Sequence, residues 1–355
     1  MKHGMTLQEM ATRIQHNADN RQDYVVPVSN MDFGRNDAGD IEFYSGVPNH
    51  GGIGGVVNNH ALSQLATELD IPARFVTVLK EQDPEFLPEV LNRRANKSES
   101  NRMLRTIDGR LVGAVSPSFS RSFDNDTIMK AILPELMSSS DYEIKSCNVS
   151  DTMMQLKVVT PKLQGEVRVG DIIQGGIAAR NSDVGVSRAV IQELSYRLWC
   201  LNGCSHQEAV DAYRRIHRGH KNPLGILYAP ETVAASQEII ALEMRDTIRH
   251  LLSPERFEQT INKMKIAADN SIEAKDLDKK VKALGKIVGF NQTEGDLIMQ
   301  KLIEGADLSQ YGMMNAVTNL ANDTDNYDRA SELEQMGGKV IELSPRQWNT
   351  VKEAA

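Results

Sequence analysis

Residues 103–115 read MLRTIDGRLVGAV. Two short segments with the apolar period of a β-strand flank the dipeptide Asp108-Gly109. A two-residue type I′ turn requires positive φ at both central positions, and Asp-Gly is among the dipeptides that adopt this geometry. The sequence therefore predicts an antiparallel hairpin, in which Arg105 and Arg110 lie beside each other across the strand ends.

The chain before the hairpin combines helices with a short strand. Thr6-Leu7-Gln8-Glu9 has the pattern of a capping box, and Asn59 is the predicted N-cap of a second helix. Residues 24–28 indicate an edge strand, because Pro27 has no N–H to donate, and residues 39–47 are its predicted partner. Helices are predicted over residues 6–17, 59–69, 71–82 and 84–96.

The chain after the hairpin changes from strands to helices near residue 205. Asp124 and Asp126 are spaced like metal-binding carboxylates, but they stand where a helix N-cap belongs and are interpreted as caps of a helix that ends at Met137. Strands are predicted over residues 142–149, 153–160 and 167–179. Residues 186–201 fit the period of either a helix or a strand, and a strand is favoured because Val, Ile, Tyr and Trp are frequent there. Helices are predicted over residues 205–216, 230–251, 254–268, 273–285, 293–303, 309–321 and 325–336.

These elements predict an α+β fold in three regions. Residues 1–101 form a helical and short-strand region, residues 102–221 a β-rich core with a hairpin and a packed helix, and residues 222–355 a mainly helical region. Apolar stripes in the last region either pack within one chain or form a subunit interface. They consist of Leu297, Ile298, Leu302, Ile303, Met313, Met314, Val317 and Leu320.

Charge is spread unevenly along the chain, whose formal net charge is −8. Residues 1–101 carry a net charge of −5, residues 102–221 carry +3, and residues 222–355 carry −6. Of the 16 cations in the middle region 11 are arginine, which suits bidentate phosphate contacts better than lysine does. This distribution fits a protein that binds a polyanion on one face; the alternative is that the cations only keep a β-rich region soluble.

The cations of the middle region are therefore the candidate DNA contacts. The predicted set is Arg105, Arg110, Arg121, Arg180, Arg188, Arg197, Arg214, Arg215, Arg218 and Lys221. Residues 214–221 are the densest basic run of the chain, and they follow the β-rich core. A clustered basic patch is the electrostatic footprint of a nucleic-acid-binding protein, although such a run is also typical of a solvated face.

Other motifs favour structural roles. The glycine-rich residues 50–55 lack the Lys-Ser/Thr of a P-loop, so they predict a flexible loop and no nucleotide site. Five residues could hold zinc: Cys200, Cys204, His206, His217 and His220. Their spacing matches no compact zinc pattern, so buried cysteines and histidines on a basic helix are the preferred interpretation. No hydrolase or metalloprotease motif occurs, and the sequence nominates neither an enzyme nor a cofactor.

Composition also bears on location. The chain has three cysteines, no apolar run of about 18 residues and no apolar stretch at its N-terminus. These features predict a cytoplasmic protein without a membrane partner.

Several motifs are similar to those of one family. They are IP (71–72), RTIDGR (105–110), SPSFSRSFDN (116–125), GDIIQGGI (170–177), NSDVG (181–185), YRLWCLNG (196–203) and NAVT (315–318). In this order, across most of residues 60–325, they resemble the phage/plasmid-like family known as domain of unknown function 932. Phe119 stands where relatives tend to have a tyrosine. The family has no settled activity, and its setting implies the cytoplasm of a bacterial host.

The core of this family is in turn similar to that of RecT/Redβ-type single-strand annealing proteins. This likeness implies a protein that binds single-stranded DNA and promotes annealing in phage or plasmid recombination, as a ring or filament of identical subunits and without nucleotide hydrolysis. Two alternatives stay open: a structural or host-interaction protein, for example an inhibitor of a host nuclease, and a nucleic-acid-processing enzyme with a metal at the cysteine and histidine cluster.

Overall fold

The computed structural model describes residues 4–47, 51–119, 123–137, 141–198, 202–206, 213–215 and 230–354. It confirms the α+β class. The helices are α1 (Leu7–Asn20), α2 (Asn59–Glu68), α3 (Ala73–Gln82), α4 (Phe86–Ala95), α5 (Asn125–Met137), α6 (Pro230–Leu251), α7 (Pro254–Asp269), α8 (Leu277–Val288), α9 (Gln292–Gly305), α10 (Gln310–Asp323), α11 (Tyr327–Ile341) and α12 (Pro345–Lys352). The strands are β1 (Arg21–Pro27), β2 (Met31–Arg35), β3 (Ile41–Val47), β4 (Gly51–Val56), β5 (Asn101–Ile107), β6 (Arg110–Val115), β7 (Glu143–Val149), β8 (Met154–Glu166), β9 (Ile172–Asn181), β10 (Ala189–Arg197), β11 (Asn202–Ser205) and β12 (Tyr213–Arg215).

The predicted hairpin is confirmed. Strands β5 and β6 pair antiparallel, and Asp108 and Gly109 between them have φ angles of 51° and 75°. Both central positions of the turn therefore have the positive φ that a type I′ turn requires. Strand β1 pairs with β5 on the other side, in the order β1-β5-β6, so the segment with Pro27 is an edge strand as predicted.

The predicted register of this hairpin was wrong in one respect. A two-residue turn places Arg110 opposite Ile107, and Arg105 pairs with Gly113 after a register shift between Arg105 and Thr106. The two arginines are therefore not neighbours across the strand ends.

A second antiparallel sheet, β2-β3-β4, corrects two further predictions. Strand β3 pairs with β2 and β4 and not with β1. Residues 51–55 of the predicted flexible loop over residues 50–55 belong to strand β4. Gly55 lies so close to the hairpin turn that a Cβ would stand 1.8 Å from the Gly109 carbonyl oxygen. The N-cap of helix α2 is Asn58 and not the predicted Asn59, because the Asn58 side chain accepts the hydrogen bond from the Ala61 N–H at 2.7 Å.

The largest sheet has the order β7-β8-β9-β10-β11, and β12 also pairs with β10. The strands predicted over residues 142–149, 153–160 and 186–201 correspond to β7, β8 and β10. The strand predicted over residues 167–179 begins only at Ile172, in β9. The predicted helix over residues 205–216 is wrong, because Ser205 belongs to β11 and residues 213–215 form β12. Short helices are only marginally stable by themselves, whereas pairing with β10 gives these short segments backbone hydrogen bonds to a strand that is already part of the sheet.

The C-terminal helices lie close to their predicted positions. Helix α8 begins at Leu277, later than predicted, because Asp276 before it has a left-handed φ of 55°, which an α-helix does not contain. Most of the apolar stripe residues are buried in one core, among them Ile298, Leu302, Met313, Met314, Val317 and Leu320. These six therefore pack within the chain, whereas the side chains of Leu297 and Ile303 on α9 are exposed.

The core of the large sheet crosses both predicted region boundaries. Met10 and Ile14 of α1, and Met244 and Ile248 of α6, pack in one cluster with α5 and one face of the sheet. Helix α11 lies against β11, where Gly338 comes so close that a Cβ would stand 2.1 Å from the Ser205 carbonyl oxygen. Within the described ranges no helix is long and apolar enough to cross a membrane.

Candidate nucleic-acid interface

Pairing of β12 with β10 brings two basic segments together. Arg188, immediately before β10, is exposed and forms no ion pair with another described residue. Arg214 lies opposite Val190, and Arg215 lies opposite Ala189. The backbones of Arg188, Arg214 and Arg215 are therefore neighbours at one margin of the large sheet, and we call these three residues the basic edge.

Arg180 lies one strand away from the basic edge. It pairs with Val190, the residue that Arg214 faces from the other side. Its guanidinium is half-buried and donates a hydrogen bond to the side chain of Gln335 on α11. This contact ties the Arg180 side chain to α11, so Arg180 is not part of the basic edge.

Arg110 lies on the hairpin sheet, which is a different sheet from that of the basic edge. Its Nη2 stands 3.9 Å from Asp151 Oδ2, and Arg13 of α1 shares the same carboxylate at 3.4 Å. Exposed ion pairs of this kind contribute only about 0–1 kcal/mol. Arg110 is thus an accessible cation, but the fold does not place it in the sheet of the basic edge.

Arg105, a predicted DNA contact, lies inside the protein. Its Nε and Nη2 bond to the Asp23 carboxylate at 2.8 and 2.9 Å, and its Nη1 bonds to Asp124 Oδ1 and to the Asp183 carbonyl, both at 2.7 Å. The Arg105 side chain is 1% exposed. A phosphate has no access to it, so the expected DNA contact is replaced by a structural role that joins β1, β5 and α5.

The interpretation of Asp124 as a simple helix cap also changes. Its carbonyl accepts from the Ile128 N–H at 3.1 Å, which is the position of an N-cap. Its carboxylate, however, bonds to Arg105 and lies 3.0 Å from Arg21 Nη1. Asp126 pairs with Lys130 at 3.2 Å. The carboxylates of Asp124 and Asp126 therefore both form ion pairs.

Asp183 completes this buried network. Its Oδ1 accepts hydrogen bonds from the Asn125 N–H at 2.8 Å and from Asn181 Nδ2 at 3.2 Å. Burial, and then the charge of Asp124, raise the pKa of Asp183 to about 7, although Arg105 and the Asn125 N–H act in the opposite direction. Three of the quoted motifs, at residues 105–110, 116–125 and 181–185, thus meet in one charged cluster.

Arg197 lies in a cleft of about 290 Å³ between the large sheet and helices α9 and α10. Its Nε and Nη2 stand 2.5 and 2.9 Å from the carboxylate of Asp171, which also accepts from the Tyr311 hydroxyl at 2.9 Å. Burial, together with the Asp171 charge, raises the pKa of Tyr311. Arg168 in the same cleft pairs with Asp307 at 3.0 Å. Because these cations are matched by carboxylates, the cleft is a weak candidate for a phosphate.

Ion pairs also join cations of the middle region to carboxylates of the two acidic regions. Arg102 pairs with Glu68 from the first region. Lys157 pairs with Glu334 from the last region at 2.5 Å, and both side chains are buried. Counting charges along the sequence could not detect these pairs, because their members are far apart in the chain.

The candidate zinc ligands are only partly described. Cys204 and His206 are both buried, and no group of three His, Cys, Asp or Glu residues suited to a metal occurs in the part of the chain that the structure describes. Ser195 Oγ lies 2.9 Å from His206 Nε2, and His206 Nδ1 lies 3.8 Å from Glu342 Oε1. This is the order of contacts in a hydrolase triad, but Ser195 is 2% exposed, so we assign the three residues a structural role.

Some predicted residues lie outside the described residues. They are Arg121, Arg218 and Lys221 of the DNA-binding set, and Cys200, His217 and His220 of the zinc candidates.

The fold and the interface together define an α+β protein whose large sheet carries a basic margin. Comparison of the chain with models of protein families, with curated proteins and with solved structures finds no match in any of the three.

Proposed function

We propose that the protein binds single-stranded DNA along the basic edge and promotes annealing in phage or plasmid recombination, without nucleotide hydrolysis. The observation that carries this proposal is the pairing of β12 with β10, which adds Arg214 and Arg215 to the exposed Arg188. Arg188, which is exposed and forms no ion pair with another described residue, keeps its charge for a phosphate. The order of hairpin, helix, sheet and helix, and the motif resemblance described above, also support it.

The pairing of the other cations limits how many phosphates one subunit neutralises. Three arginines of the basic edge correspond to a log–log salt slope of about −2, at about −0.7 for each phosphate of a single strand. Such a subunit binds weakly, and annealing requires that many subunits present one strand together. A ring or filament, in which many weak contacts act on one strand, therefore belongs to the proposal.

Fluorescence anisotropy with labelled single- and double-stranded oligonucleotides at about 50 and 200 mM salt tests the proposal. We expect single-strand affinity to fall about 15-fold between these salt concentrations. Arg188→Ala should weaken binding to all sequences about equally and reduce the salt slope by about 0.7. Arg346→Ala is the matched control, because Arg346 is an exposed arginine on α12, which packs against α8.

The rival function is that of a structural or host-interaction protein. The ion pairs that hold Arg102, Lys157 and Arg168 to carboxylates of the other regions favour it, since they reduce the number of cations available to nucleic acid. Binding that is absent at low salt, or equal loss in the Arg188 and Arg346 variants, would leave this rival as the better explanation.

A further inference from the structure

A groove of about 420 Å³ lies between α2 and the hairpin strand β6. The half-buried ring of Phe119 lines it, and so does Gly185. Ser63 and Thr67 of α2 contribute polar groups to the wall. The groove therefore offers part of an aromatic ring beside hydrogen-bonding side chains, a combination that suits a planar, polar ring system.

The walls of the groove are held in place by buried contacts. Gln64 Oε1 accepts from the Ala114 N–H at 2.8 Å, and its Nε2 donates to the Val184 carbonyl at 2.7 Å. The guanidinium of Arg105 lies over the Phe119 ring, 5.6 Å from its centroid. Arg105 is itself held by the carboxylates of Asp23 and Asp124, so the guanidinium beside the ring is fixed in position.

The groove is close to the basic edge. Gly185 lines the groove, and Arg188 follows three residues later, which places their backbones at most about 11 Å apart. Val186, between them, is 48% exposed. The charges in the groove wall are balanced, because Arg102 pairs with Glu68. A neutral groove beside a cationic edge is complementary to a nucleotide, whose base is neutral and whose phosphate is negative.

We propose that this groove receives bases of the single strand whose phosphates lie on the basic edge, and that Phe119 is their stacking platform. This inference rests on the proposed function. Stacking on an aromatic side chain is tolerant of sequence, since every base has a π-face. The groove would thus hold a strand of any sequence.

Substitutions at Phe119, tested with intact and abasic single-stranded oligonucleotides of the same length, measure this role. Phe119→Leu keeps an apolar side chain of similar size but removes the aromatic ring. We expect it to weaken binding of the intact strand about 10-fold and to leave binding of the abasic strand unchanged. Phe119→Tyr and Phe119→Trp should bind the intact strand as the wild type does, and thermal melting checks that all variants fold.

Arg188→Ala distinguishes the phosphate contact at the basic edge from the base site in the groove, because it should weaken binding of intact and abasic strands alike. If Phe119→Leu binds the intact strand as tightly as the wild type, the groove is not a base site, while the proposed function stands on the wild-type affinity. If the wild type binds neither strand, the proposed function fails first, and this inference falls with it.

Discussion

Arg105 Nη1 lies 2.7 Å from Asp124 Oδ1, and both side chains are at most 1% exposed. The pair joins strand β5 to the start of α5, across 19 residues of chain. Asp23 on β1 occupies other nitrogens of the same guanidinium. Removing each such charge from water costs several kcal/mol, so the folded state is stable only if the opposite charges remain beside it.

Removing Arg105 should therefore destabilise the protein strongly. Arg105→Ala leaves Asp23 and Asp124 buried without their cation, and we expect a loss of about 3–5 kcal/mol in the free energy of unfolding. Urea denaturation followed by circular dichroism measures it. Arg110→Ala is the control, because Arg110 is exposed and its loss should change stability by about 0.5 kcal/mol or less. Equal effects at both positions would contradict a buried structural role for Arg105.

Asp183 should make stability depend on pH. Its pKa of about 7 lies above that of an unfolded aspartate, which is about 4. Between these two pH values the Asp183 carboxyl is protonated in the folded chain and ionised in the unfolded chain. The free energy of unfolding from this group therefore falls as the pH rises through that window. Asp183→Asn keeps an oxygen that can accept from Asn125 and Asn181, but it cannot ionise.

We accordingly expect Asp183→Asn to gain stability relative to the wild type between pH 5 and pH 8, as measured by urea denaturation at each pH. Asp151→Asn, at an exposed carboxylate about half accessible to solvent, should show no such gain. Parallel stability curves for the wild type and Asp183→Asn would rule out a raised pKa at this position.

The hairpin turn predicts a position-specific effect of valine. Gly109 has a φ of 75°, which costs a non-glycine residue about 1–2 kcal/mol, and a β-branched side chain at least as much. Gly109→Val should lower the melting temperature. Gly34→Val on β2 is the control, because a Cβ at Gly34 meets no atom within 4 Å. A Gly109→Val variant of full thermal stability would refute the type I′ assignment.

The annealing proposal predicts assembly of the chain into larger particles. The apolar stripe of α10 is buried in its own core, so any contact between copies through this region must use exposed residues such as Leu297 and Ile303 on α9. Light scattering, with and without an oligonucleotide of about 80 nucleotides, should show particles larger than one chain. If the protein is a strict monomer in both conditions, annealing is excluded, and the host-interaction alternative takes its place.

The hairpin and most C-terminal helices could be predicted from the sequence because their signals are local. The positive φ of Asp108 and Gly109 is a property of two neighbouring residues, and it needs no information from the rest of the chain. Helices such as α7 likewise begin at their own cap, where Ser253 accepts from the Arg256 N–H ahead of Pro254 at the first helical position.

The candidate interface could not be predicted in this way, because it depends on which segments meet. Arg105 and Arg188 are both arginines in the same basic region, and no local pattern separates them. The fold surrounds Arg105 with carboxylates from β1 and α5, whereas it leaves Arg188 exposed at the sheet margin. Residues 213–215 became a strand for the same reason, since β10 offered them backbone partners. The sequence alone determined how many cations the middle region has. The tertiary structure decided which of these cations are neutralised, because it brings carboxylates from distant segments of the chain next to some of them and not to others.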